Sequence, residues 1–122
     1  MAAPNIVNVS SIYGKTNGVA LTTTTTTDII SCASDKLIKV NSIIVANIDG
    51  TNAADATVYF YDHNLSHRTA LADGVSVPAK STLIVLGKDA PIYLEENDQI
   101  EAGASAAGDL HLTISYEILD DA

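Results

Sequence analysis

The sequence predicts an all-β fold, a single-domain antiparallel β-sandwich with jelly-roll-like pairing. Three observations carry that expectation. Eight or so short apolar segments recur at spacings of roughly ten residues, separated by Gly, Asn, Asp and Ser. No segment shows the 3.6-residue period of an amphipathic helix. The apolar fraction is 47% while aromatics are only 5% and Trp is absent. The core must therefore come from aliphatic residues, of which Ile and Val favour strands. At 122 residues the chain is one domain able to bury roughly two-thirds of its unfolded surface.

Residues 5–10 form the first strand candidate, within an N-terminal arm at 1–10 that precedes a sandwich domain at 11–122. Gly14 and Asn17-Gly18 read as punctuation, with a new strand from Val19 to Leu21. The six threonines from Thr22 to Thr27 fit an exposed strand or edge, because Thr is β-branched. Residues 37–49 place Ile38, Val40, Ile44, Ala46 and Ile48 on one face of a central strand. The connection from Asp49 to Asp55 reads as a hairpin turn rich in Asn, Asp and Gly. It leads into a strand with Val58 and Phe60 on one face and Thr57, Tyr59 and Tyr61 on the other. Residues 69–72 make a short strand. Residues 82–86 are continuously apolar, as in a strand buried on both sides.

Residues 92–94 and 100–102 flank a turn whose acids, Glu95, Glu96 and Asp98, read as a solvated corner. The last strand is the clearest: Leu110, Leu112, Ile114, Tyr116 and Ile118 alternate with His111, Thr113, Ser115 and Glu117. Leu112, Ile114, Tyr116, Val58, Phe60 and Ile44 are expected to share one core.

Fifteen acidic against six basic residues give a formal charge of −9. Such a surface repels phosphate backbones and anionic membranes, so nucleic acid and membrane are excluded as partners. It suits solubility at high copy number, or docking onto a basic partner. The single cysteine, Cys32, sits in an apolar run and reads as a buried, inert thiol. The N-terminal residues lack a basic segment and an apolar core, which predicts synthesis inside a cell without an export signal.

Motifs for chemistry fail on spacing. His63 and His67 stand four apart, but in a loop after a strand and without the helix that a zinc pair needs. The loop from Asp49 lacks the glutamate that closes an EF-hand. The acids Glu95, Glu96 and Asp98 cluster on one turn instead of facing each other across a cleft. No nucleophile elbow is present. The expectation is therefore a non-enzyme with no cofactor and no metal.

Three blocks carry a likeness: Ala3-Pro4-Asn5-Ile6-Val7-Asn8-Val9 with Gly14-Lys15-Thr16, the run from Val40 to Tyr61, and Ala90-Pro91-Ile92-Tyr93-Leu94-Glu95-Glu96-Asn97-Asp98-Gln99-Ile100. The chain closes with Ala107-Gly108-Asp109-Leu110 and Ile114-Ser115-Tyr116-Glu117. Over nearly its whole length it resembles small virion structural proteins of tailed phages infecting marine bacteria and cyanobacteria. That resemblance implies a capsid decoration (cement) protein on the head surface. Its partners would be the major capsid protein and neighbouring copies of itself, in a homo-oligomeric arrangement. The alternative is a tail- or head-fibre-associated module recognising a host glycan or protein. The resemblance transfers no mapped site. Candidate contacts are Pro4, Ile6 and Val7 in the arm, and Tyr59 and Tyr61, since aromatics are enriched at interfaces.

Overall fold

The chain folds into two antiparallel sheets packed face to face. The structure is a computed structural model that describes residues 9–87 and 89–120. The expected strand at 5–10 and the candidates Pro4, Ile6 and Val7 lie wholly or almost wholly outside those residues. Among the described residues there are nine strands: β1 (Ser11–Ala20), β2 (Thr27–Ser31), β3 (Lys36–Asn47), β4 (Ala54–Asp62), β5 (His67–Val77), β6 (Thr82–Leu86), β7 (Ile92–Leu94), β8 (Gln99–Ala104) and β9 (Leu110–Asp120).

One sheet has the order β1-β9-β3-β6, with β7 also paired to β3, and the other has β2-β8-β4-β5. The pairs β4–β5, β3–β6, β2–β8 and β1–β9 nest inside one another along the chain. A single long ribbon is thus folded over on itself, which is the jelly-roll winding the sequence predicts.

The core lies between the sheets, where Val40, Ile43, Val45, Val58, Ile100 and Leu112 are completely buried. Each such side chain contributes about 1.5–3 kcal/mol by leaving water. Leu112, Ile114, Tyr116 and Val58 are buried as expected, and Phe60 packs against the same cluster. Ile44 does not. The β3–β9 register shifts between Val40 and Ser42, so one extra residue enters β3 and reverses the phase of everything after it. Ile43 and Val45 turn inward at 0% exposure, and Ile44 turns outward at 37%.

Four other expectations change. Gly14 and Gly18 do not interrupt the chain: β1 runs straight through them, with neither at positive φ. Of the six threonines from Thr22 to Thr27 only Thr27 belongs to a strand; the other five form a loop closed by the Thr27 N–H and Oγ1 on the Thr24 carbonyl, at 3.2 and 2.8 Å. That loop carries the chain from one sheet to the other and crosses β8 at Gly103. A Cβ there would stand 2.4 Å from the Thr25 Cα and 2.8 Å from the Thr24 carbonyl oxygen, so only glycine fits. The connection after β3 is not a hairpin turn, because β3 and β4 lie in different sheets. Finally, β6 is an edge strand with Ile84 67% exposed, not one buried on both faces.

Among the described residues every buried polar side-chain atom has a hydrogen-bond partner. Asn47, 3% exposed, donates to the Asn52 and Val77 carbonyls at 3.0 and 2.9 Å and accepts from the Asp49 N–H at 2.9 Å. It pins the crossover where a hairpin was expected. Asp98 is buried and accepts from the His63 and Glu95 N–H groups, so the expected solvated corner is partly a structural one.

Candidate functional site

The outward face of the four-stranded sheet gathers the most organised cluster of interaction-prone side chains. It starts from the hairpin β4–β5, the innermost turn of the ribbon. In its register Asp62 pairs with His67, which sets Tyr61 opposite Arg68 and Tyr59 opposite Ala70. On the other flank of β4, Tyr59 pairs with Glu101 and Tyr61 with Gln99 of β8. Val58 and Phe60 point into the core, so strand alternation sends Tyr59 and Tyr61 outward, as the sequence predicts.

Arg68 spans the middle strand. Its guanidinium lies 4.9 Å from the centre of the Tyr61 ring and reaches Glu101, with Nε–Oε1 at 2.6 Å and Nη2–Oε2 at 3.4 Å. The Glu101 side chain is 4% exposed and that of Arg68 44%. The carboxylate is therefore covered and the cation is on top. The hydrogen bond to Glu101 raises the pKa of Arg68 above its ordinary value. Two half-buried phenols and one anchored guanidinium result, held by neighbours on both sides. Such a group has little rotamer freedom left to lose on binding.

Arg68 and Glu101 complete this cluster, and the sequence reading missed both. Reading residues 63–66 as the turn of a hairpin, and not as a loop holding a histidine pair, would have set Arg68 opposite Tyr61. Glu101 is 33 residues farther along, and only the pairing of β8 with β4 brings it in. His63 and His67, the loose metal candidates, bracket that turn and are exposed. Among the described residues no group of three metal-ligating side chains comes together. Asp49 instead accepts the Thr51 and Asn52 N–H groups at 2.8 and 3.2 Å, which lowers its pKa.

A recess of about 130 Å³ opens at the mouth of the sandwich between Phe60, Thr69 and Leu71 on one sheet and Ile92 and Tyr93 on the other. It is smaller than the roughly 300 Å³ at which small-molecule pockets begin. Cys32 is 1% exposed and its Sγ–H donates to the Lys36 carbonyl at 3.2 Å. Burial, helped by the nearby Asp98 charge, pushes its pKa up to about 11.

No family model matches this chain. No curated protein matches it either. Among solved structures, it is similar to a protein of the Bacillus endospore appendages, described as a novel family of disulfide-linked pili. The identity is 14%, the TM-score 0.52, and the match covers 92% of this chain and 90% of that one. That likeness shows the fold. Two further matches are the infectious bursal disease virus VP2 subviral particle (15% identity, TM-score 0.37, 91% of this chain and 32% of that one) and the Eiger TNF of S. frugiperda (12% identity, TM-score 0.38, 91% and 90%). Their scores are too low to carry an argument.

Proposed function

We propose that this chain is a non-catalytic virion protein, a decoration protein that binds the assembled head shell of a tailed phage. Its contact surface is the outer face of the four-stranded sheet. The observation that carries the reading is the anchored cluster of Tyr59, Tyr61 and Arg68. Tyr and Arg are the residue types that dominate binding hot spots, and here they are fixed on a rigid sheet. The whole-chain resemblance to small phage virion proteins supplies the partner class. The charge of −9 disfavours the packaged DNA as that partner. The structural neighbour is described as belonging to disulfide-linked pili, whereas Cys32 of this chain is free and buried.

The mechanism is multivalent: each weak contact to one shell subunit raises the effective concentration of the next. Binding then stabilises the shell by mass action. The test is cosedimentation of the purified protein with full heads, with expanded heads lacking it, and with isolated tails. Binding to heads alone is expected, and the double substitution Tyr59→Ala/Arg68→Ala should weaken it by at least about tenfold, a loss of about 1.4 kcal/mol. Cosedimentation with tails and not heads would overturn the reading in favour of a fibre-associated module. Undiminished head binding by a folded double variant would remove this face from the contact.

A further inference from the structure

We infer that β1 is an open sheet edge that pairs with β1 of a second copy, joining two five-stranded sheets across a two-fold axis. This does not rest on the virion reading.

Sheet edges are normally blunted, by shortness, bulges, irregular backbone or a run of charged side chains. Three of the edges here follow that rule. β2 and β6 have five residues each and both carry a register shift. β5 is longer, but its pairing with β4 shifts twice and it contains Gly74 at φ +59°. β1 differs. Its ten residues pair with β9 in one unbroken register from Ser11↔Asp120 to Ala20↔His111. It has no proline, no acid and one charge, Lys15. Among the described residues no strand lies on its other side. Ile12, Tyr13 and Val19 of this strand are 58%, 52% and 37% exposed.

Backbone direction decides which residues can bond outward. Leu21 donates its N–H to the Leu110 carbonyl at 2.8 Å, so the odd-numbered residues of β1 face β9. Ile48 donating to Asp109 gives β9 the matching phase on its other side. Because peptide groups alternate along a strand, Ile12, Gly14, Thr16, Gly18 and Ala20 turn their N–H and C=O to the open edge.

A second β1 must lie antiparallel, with even residues opposite even ones so that both copies keep their core sides together. Centring the axis on Thr16 sets Ile12 opposite Ala20, Gly14 opposite Gly18, Tyr13 opposite Val19 and Lys15 opposite Asn17. Every outward residue then donates and accepts one bond, and the exposed apolar side chains meet in pairs. Centring it on Lys15 instead opposes two like charges and leaves Ala20 without a strand partner. Centring it on Asn17 opposes no charges but leaves Ile12 without a strand partner, so of the three registers only the one centred on Thr16 bonds every outward residue. The partner is a second copy of this chain.

Thr16 would sit opposite itself in a hydrogen-bonded pair, with Cα atoms about 5.5 Å apart, within disulfide range. Thr16→Cys should therefore give a covalent dimer on mild oxidation, visible on a non-reducing gel, while Lys15→Cys stays monomeric. Buried Cys32 does not compete. Sedimentation equilibrium of the unmodified protein should show a monomer–dimer equilibrium between about 1 μM and 1 mM. Thr16→Pro should abolish it while leaving the monomer folded, since the lost N–H faces the open edge. A wild-type protein monomeric across that range, or cross-linking of Lys15→Cys with none of Thr16→Cys, would overturn the proposal.

Discussion

Gly103→Ala is the sharpest test of how the threonine loop is held. The new Cβ would stand 2.4 Å from the Thr25 Cα, and 2.8 Å from both the Thr25 nitrogen and the Thr24 carbonyl oxygen. These are backbone atoms, so no side chain can swing aside and the loop itself must lift. Overpacking of this kind costs about 1–3 kcal/mol. Lifting the loop also strains the Ala104 N–H bond to the Thr22 carbonyl (2.8 Å) and the Thr27 N–H bond to the Thr24 carbonyl (3.2 Å). Losing both adds about 0.5–1.5 kcal/mol each. The sum is about 2–6 kcal/mol. Unfolding entropy of about 2.1 cal/mol/K per residue makes each kcal/mol worth about 4 °C for a chain of this size. The melting temperature followed by circular dichroism should therefore fall by about 8–24 °C. Gly14→Ala is the internal control: a Cβ there meets nothing within 4 Å and φ is not positive, so it should be neutral or slightly stabilising. If both variants melt within about 2 °C of the parent, the loop does not lie on Gly103.

Three further outcomes follow from the core and its buried polar groups. Ile43→Asp should unfold the protein, at a cost above about 4 kcal/mol for a buried unpaired charge, whereas Ile44→Asp, 37% exposed and able to reach water, should cost about 1–2 kcal/mol; equal melting temperatures would refute the reversal of phase in β3. Asn47→Ala should lower stability by about 2–4 kcal/mol, because it leaves the buried Val77 carbonyl unpaired, and chemical denaturation measures this directly. For Cys32, the folded thiol ionises near pH 11 while the unfolded one does so near its ordinary 9.0. The unfolded state therefore loses its proton first, and stability should fall as pH rises from 9 to 11; Cys32→Ala should lack that slope, and a thiol reagent at pH 8 should label the protein only once denaturant has unfolded it.

What the sequence disclosed was whatever obeys simple alternation. β9 is legible because from Leu110 to Tyr116 one face meets the core and the other turns away from it. β6 was bounded correctly because Ser81 and Gly87 punctuate it, yet its exposure was misjudged, since an apolar run does not reveal whether a neighbour strand exists. β1 was hidden by Gly14 and by Asn17-Gly18, which usually mark turns and here sit in extended backbone. The phase of β3 was lost at the bulge around Asn41, because the inserted residue leaves no compositional trace. For the candidate site, Tyr59 and Tyr61 follow from alternation alone. Arg68 needs the hairpin register and Glu101 needs the long-range pairing of β8, neither of which is local information.

The nesting of the ribbon fixes an order of assembly. β9 stands between β1 and β3, and β8 between β2 and β4, so one interior strand of each sheet is synthesised after both of its neighbours. Until they leave the ribosome, four earlier strands wait with unpaired flanks, and only the hairpin β4–β5 can close locally. Folding must then bring together segments about a hundred residues apart, as Ser11 and Asp120 are, which is the slow, non-local kind of closure. A nascent chain in this state is open to invasion by its neighbours. Rapid high-level synthesis therefore favours exchange of β9 between chains, with intertwined dimers as the characteristic misfolded product.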